Sequence, residues 1–166
     1  MARKAFYSFH YSNDNWRAST VRNIGSVEGN KPASDNDWEE VTKGGDKAIQ
    51  NWIDGQMLGK SCVIVLVGEK TAGRKWIKYE IKKAWESGKG VLGIQVHKLK
   101  NSSGEQGKEG RNPFEDFTIN GKKMSSIVKL KNPPQITSQG VYSHISENIA
   151  DWIEEAIAVR NSYQVA

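Results

Sequence analysis

The run SCVIVLV at residues 61–67 constrains this chain more than any other stretch in it. It is apolar on both faces, largely β-branched and short for a helix. A central strand of a parallel sheet looks like this when helices cover both sides of the sheet. A chain with such a strand must supply the covering helices, and the flanking sequence does. Ala48, Ile49, Trp52, Ile53 and Met57 form a stripe of helical period over residues 46–58. Residues 142–160 carry Ile145, Ile149, Trp152, Ile153, Ala156 and Ile157 on one face. Residues 74–85, RKWIKYEIKKAW, predict an amphipathic helix that opens after the loop at 68–74, and VLGIQV at 91–96 predicts the next strand.

Upstream, KAFYSFHY at residues 4–11 reads as a first strand that ends in a polar loop. Asn13 or Asp14 is placed to cap a helix over residues 15–24, with Trp16, Val21 and Ile24 as its apolar positions. Residues 25–45 form a long connection with Trp38 near its middle. A loop-rich excursion occupies about residues 100–135, with a turn at Asn120-Gly121 and a further strand at 124–130. Strands alternating with helices predict an α/β domain with a mainly parallel sheet and right-handed crossovers. The 166 residues suit one domain, 1–166, with no internal repeat and no hinge-like linker. In such sheets ligands bind beyond the carboxyl ends of the strands. The loops after Tyr11, around Trp38 and at 68–75 should meet at that edge.

Composition narrows the class of function. No window approaches the ~18 apolar residues of a membrane span, and the N-terminus lacks an apolar stretch followed by a small-residue cleavage site. The single cysteine, Cys62, lies inside the apolar run and has no internal disulfide partner. These features predict a cytoplasmic location and no membrane partner. The formal net charge of +5 raises nucleic acid or an anionic ligand as partners. The lysines, however, are scattered, and the densest cluster, at 78–83, is the outer face of one helix. The six tryptophans mostly fit helical stripes and are expected in the core.

Common chemistry signatures are missing. There is no Walker A loop and no GxGxxG after the first strand. A flavin phosphate loop and the acidic set of a response regulator are absent too. His10, His97 and His144 are far apart and form no metal-ligand spacing, so no metal is expected. His10 ends the first strand at the ligand edge and is a candidate for binding, or a structural hydrogen-bonding residue. Glu80 stands out: on the helix opening at residue 74 it projects into the apolar side, between Trp76 and Ala84. An inward carboxylate is costly unless paired. It either meets a lysine or a backbone group, or it belongs to a site. Trp76 lies one turn before it on the same face, and an aromatic plate beside a desolvated carboxylate suits a polar, ring-containing ligand.

The strand and loop KAFYSFHYSND at 4–14, the strand CVIVLV at 62–67 and the helix start WIKYE at 76–80 together resemble a TIR domain. They are most similar to the bacterial TIR-like proteins of the Thoeris anti-phage system, the ThsB type. The opening FYSFHY, the segment WRASTVRNI at 16–24 and Asn112-Pro113-Phe114 carry the more specific likeness. The family's Trp-x-x-x-Glu pattern falls on Trp76 and Glu80, with Ile77 where a cysteine is usual. The resemblance implies a flavodoxin-like three-layer fold and Glu80 as the catalytic residue. NAD⁺ is implied as substrate, not resident cofactor, with cleavage of the nicotinamide–ribose bond and closure of ADP-ribose to a cyclic signal. A partner effector, ThsA, answering to that product, and self-assembly between TIR domains are implied as well. Trp76, Phe9, His10, Tyr11, Asp14 and Trp38 are the candidates for substrate binding, and Arg17 or Lys47 are candidates for a diphosphate or, equally, for scaffold roles. Three alternatives stay open: a non-enzymatic TIR scaffold, a nucleoside deoxyribosyltransferase-like enzyme and a nucleic-acid binder.

Overall fold

A computed structural model describes residues 3–24, 27–29 and 44–163, except the side chains of residues 11–13 and 27–29. Along the chain run β1 (Arg3–Ser8), α1 (Tyr11–Arg22), β2 (Val27–Gly29), α2 (Gly45–Met57), β3 (Cys62–Val67) and α3 (Lys75–Glu86). They are followed by β4 (Gly90–Gln95), β5 (Thr118–Ile119), β6 (Lys122–Lys123), β7 (Leu130–Lys131) and α4 (Ser138–Ser162). Five strands form one sheet in the order β2-β1-β3-β4-β7. Every neighbouring pair is parallel, with Phe6 opposite Val63 and Val63 opposite Val91. The α/β expectation holds, in the doubly wound order whose switch point lies between β1 and β3.

The apolar run is buried because each face meets its own helical layer. Cys62, Ile64 and Leu66 join Ala18 and Val21 of α1 and Val141, Ile145, Ile149 and Ile153 of α4. Val63, Val65 and Val67 join Ile49, Ile53 and Met57 of α2 and Ile77, Ile81 and Ala84 of α3. Burial pushes the Cys62 thiol up to about 12, which removes it from nucleophilic chemistry at neutral pH.

Several local expectations are corrected. α1 starts at Tyr11, not 15, so the β1–α1 link is only Phe9 and His10. Asp14 is no cap: it lies inside the helix, with its N–H donating to the His10 carbonyl at 2.9 Å. Trp16 is 55% exposed, and the buried stripe is Asp14, Arg17, Ala18 and Val21. That set has full helical spacing, but half of it is charged; of the expected apolar positions Val21 and Ile24 are buried and only Trp16 is misplaced. Trp52, Trp76, Trp85 and Trp152 are half-buried at the margins of the core, not within it. Trp38 lies outside the described residues. The strand expected at 124–130 is a 3₁₀ turn, Met124–Ser126, followed by the two-residue β7. The turn wins because Met124, Ile127 and Val128 have helical spacing, not alternation, and all three are buried. α4 begins at Ser138, not Tyr142, because the Thr137 hydroxyl caps it by accepting the Gly140 N–H at 3.0 Å. The Asn120-Gly121 turn forms as expected and joins β5 to β6, both residues having positive φ, 49° and 81°.

A strap from the excursion crosses the carboxyl ends of β3 and β4. The Gln95 side chain donates to the Gly110 carbonyl at 2.9 Å and accepts its N–H at 3.4 Å. A Cβ on Gly110 would lie 2.0 Å from the Gly68 carbonyl oxygen. Gly110→Ala must therefore lift the strap, and we expect a loss of about 1–3 kcal/mol. Urea unfolding reads this as a lower midpoint, and an unchanged midpoint would contradict the close approach.

Candidate active site

β1 and β3 diverge in connectivity at the switch point, and the carboxyl end of β1 is Ser8. Strand alternation puts Ser8 on the same face as Phe6, towards α3. The α3 stripe that buries Ile77, Ile81 and Ala84 also carries Glu80. The two meet there: the Ser8 hydroxyl donates to Glu80 Oε1 at 2.8 Å, and the residues are 1% and 7% exposed. No cation pairs with Glu80 among the described residues. Its environment is apolar core plus one hydroxyl. Desolvation pushes its carboxyl up to about 8, against a smaller lowering by the Ser8 hydrogen bond. Ser8 was not among the residues singled out from the sequence. The signal for it is strand parity, since a serine two residues after a core phenylalanine shares its face.

The remaining candidates divide between the two faces of the sheet. Trp76 shares α3 with Glu80, one turn earlier. It is half-buried, edge-on to Tyr79 at 5.7 Å, with the Lys75 ammonium 4.9 Å from its ring centre. Tyr79 in turn donates its hydroxyl to Asp54 of α2 at 2.7 Å. Phe9 packs against the core on the opposite face, with α1 and α4. His10 is half-buried at the junction. Burial first, then the positive charges of Arg74 and Lys70, lower its pKa, so the ring is neutral at pH 7. The Tyr11 backbone opens α1, but its side chain, like the whole of Trp38, lies outside the described residues.

Asp14 is fully buried on the α1 face. Arg17 Nη1 donates to its Oδ1 at 3.1 Å, and a Cβ on Gly68 would lie 2.2 Å from its Oδ2. Arg17 is 3% exposed and also donates to the carbonyls of Leu99, at 2.7 Å, and Glu105, at 3.1 Å. It joins α1 to the loop after β4, the scaffold role that the sequence left open beside a diphosphate contact. Lys47 is exposed on α2. The 68–74 loop is held by Thr71, whose hydroxyl accepts the Gly68 N–H at 2.8 Å. Among the described residues no group of His, Cys, Asp and Glu side chains is arranged to hold a metal ion, and no helix is long and apolar enough to cross a membrane.

The chemistry open to this edge is that of a desolvated carboxyl group beside a flat aromatic, reached from loops that carry Lys70 and Arg74. Comparison with known proteins gives two matches. A family profile described as "Thoeris protein ThsB, TIR-like domain" matches residues 6–101, which include Ser8, Trp76 and Glu80. A Bacillus cereus (strain MSX-D12) protein named as a proposed cyclic ADP-D-ribose synthase, ThsB1, is 32% identical over 133 residues. That match covers 75% of this chain and 69% of the relative.

Proposed function

The chain belongs to the ThsB family of TIR-like domains of the Thoeris system, and on that premise we propose that it cleaves NAD⁺ between nicotinamide and ribose and closes the ADP-ribose into a cyclic product. The product then serves as the signal to a partner effector, ThsA, in anti-phage defence. The reading calls on NAD⁺ as substrate and on no resident cofactor. One observation carries it: Glu80 is a carboxyl group 7% exposed, at the carboxyl edge of the sheet beside the switch point, held by Ser8 and by no cation among the described residues. A structural carboxylate would be expected to have a lysine or arginine there.

The chemistry follows from the substrate. Nicotinamide in NAD⁺ is cationic and leaves without protonation. Its departure leaves an oxocarbenium-like ribose, as in glycoside cleavage. The Glu80 carboxylate accepts hydrogen bonds from ribose hydroxyls and stabilises the growing positive charge. Trp76 is the aromatic surface for a ring of the substrate. When water is kept out, an atom of the same ADP-ribose attacks in place of water, and a cycle results.

The proposal fixes a pH dependence. The working form is the ionised carboxylate, and the group titrates at about 8 in the free protein. Below that pH the protonated form dominates, so kcat/KM for NAD⁺ should rise about tenfold per pH unit up to about 8 and then level. A flat profile from pH 6 to 9 would contradict this.

The test of the function is a substrate panel. NAD⁺ and deoxynucleosides are each incubated with the protein, in buffer and in lysate from phage-infected cells. Nicotinamide release with a product one water lighter than ADP-ribose supports the proposal. Exchange of deoxyribose between bases, with NAD⁺ untouched, would move the chain to the deoxyribosyltransferase class. No turnover of either in both media would leave a TIR scaffold.

A further inference from the structure

Ser8 is nearly fully buried, at 1% exposure, and its hydroxyl lies 2.8 Å from Glu80 Oε1. It is the last residue of β1, so its backbone is fixed by a parallel ladder in which Ser8 pairs with Val65. Glu80 lies on the second turn of α3, whose apolar side chains are locked into the core around it. The bond therefore joins two rigid elements and leaves little freedom for the carboxyl group. It occupies Oε1. The other oxygen, Oε2, has no hydrogen-bond partner among the described residues. A serine in an otherwise apolar face of a strand is costly unless its hydroxyl is satisfied, and here the carboxylate satisfies it. Side-chain rotamers are set by such pairs, and small misplacements of a reacting group cost large factors in rate.

We propose that Ser8 is a positioning residue for the catalytic step: its hydroxyl holds Oε1 of Glu80 so that Oε2 faces the ribose, and it favours the ionised carboxylate by donating to it. The inference rests on the reading of Glu80 as the catalytic carboxylate. Ser8 contributes nothing to the binding of NAD⁺ and acts on the step through Glu80. A hydroxyl that donates to a carboxylate favours the charged form. Without it, Glu80 keeps its proton to higher pH.

The experiment has two arms. In the first, the protein carrying carbon-13 at glutamate Cδ is titrated by NMR, with the Glu80 signal assigned by its loss in Glu80→Gln. Wild type, Ser8→Ala and Ser8→Thr are compared, and a thermal melt of each confirms folding. The Glu80 midpoint should move up by about one pH unit in Ser8→Ala and return towards wild type in Ser8→Thr, which restores a hydroxyl. In the second arm, kcat for nicotinamide release should fall at least about tenfold in Ser8→Ala, with KM nearly unchanged. The alkaline shift of its pH–rate profile should match the NMR shift. An Ser8→Ala protein whose Glu80 titrates where wild type does would overturn the proposal, as would an unchanged kcat. The first arm needs no turnover. If wild type fails to cleave NAD⁺, the catalytic reading falls there, while the titration still decides whether Ser8 governs the Glu80 carboxyl group.

Discussion

Glu80→Gln is expected to lower nicotinamide release from NAD⁺ by at least about a thousandfold while making the folded protein more stable at pH 8. Both effects come from the same burial. The amide keeps the size of the side chain and an oxygen able to accept the Ser8 hydroxyl now 2.8 Å from Oε1, so packing survives. What is lost is the negative charge that the proposed mechanism sets against the ribose, and electrostatic stabilisation of this kind is worth several kcal/mol in a desolvated site. Stability moves the other way. The unfolded carboxyl group ionises near its ordinary value of 4.5 and the folded one is pushed up to about 8. Between those values the folded state holds a proton that the unfolded state has lost. Wild-type stability therefore falls as pH rises from about 4.5 to 8, by on the order of a few kcal/mol. Glutamine cannot ionise and removes that slope. Denaturant unfolding at pH 5 and pH 8 measures it. Equal slopes in the two proteins would show that Glu80 is not buried as described.

Arg17→Met is the second large effect, on stability and not on chemistry. Arg17 and Asp14 are 3% and 0% exposed, on one turn of α1. Removing the guanidinium strips Asp14 of this partner in a place where water does not reach, takes this donor from the Leu99 carbonyl, and leaves the Glu105 carbonyl with the Asn101 N–H. Breaking a buried pair by deleting one member costs about 3–5 kcal/mol. Replacing both members, as in Asp14→Leu with Arg17→Met, should recover much of it, because no buried charge then remains. Guanidinium unfolding of wild type, Arg17→Met and the double variant decides the matter. A single variant as stable as wild type would show that the pair is not buried in solution.

How much of this was legible in the sequence depends on whether a residue's neighbours lie nearby in the chain. The strand at 61–67 announced its two-sided burial by composition, and the helix at 74–85 announced Glu80 by placing a carboxylate in an apolar stripe. Both signals are periodic and local. The Ser8–Glu80 bond spans the gap between two elements and has no periodic trace, although the parity of Ser8 with Phe6 gives its face. The first turn of α1 and the exposure of Trp16 are not legible because the buried stripe holds a charged pair, Asp14 and Arg17, whereas Val21 and Ile24 are buried as their apolar spacing predicts. At 124–130 the apolar content suggests a strand, but Met124, Ile127 and Val128 have helical spacing and form the buried side of a turn. The division of the candidate residues between two faces of the sheet, with Phe9 and Asp14 apart from Glu80, follows from topology and could not be read from spacing.

The proposed function stands or falls with the buried carboxyl group of Glu80 as the group that cleaves NAD⁺. It is tested most directly by quantifying nicotinamide from NAD⁺ with wild type and Glu80→Gln side by side at pH 8, in buffer and in infected-cell lysate, with the nucleotide product weighed by mass spectrometry. Wild type should give nicotinamide and a product one water lighter than ADP-ribose, and folded Glu80→Gln should give neither. Equal release of nicotinamide by the two proteins would contradict it.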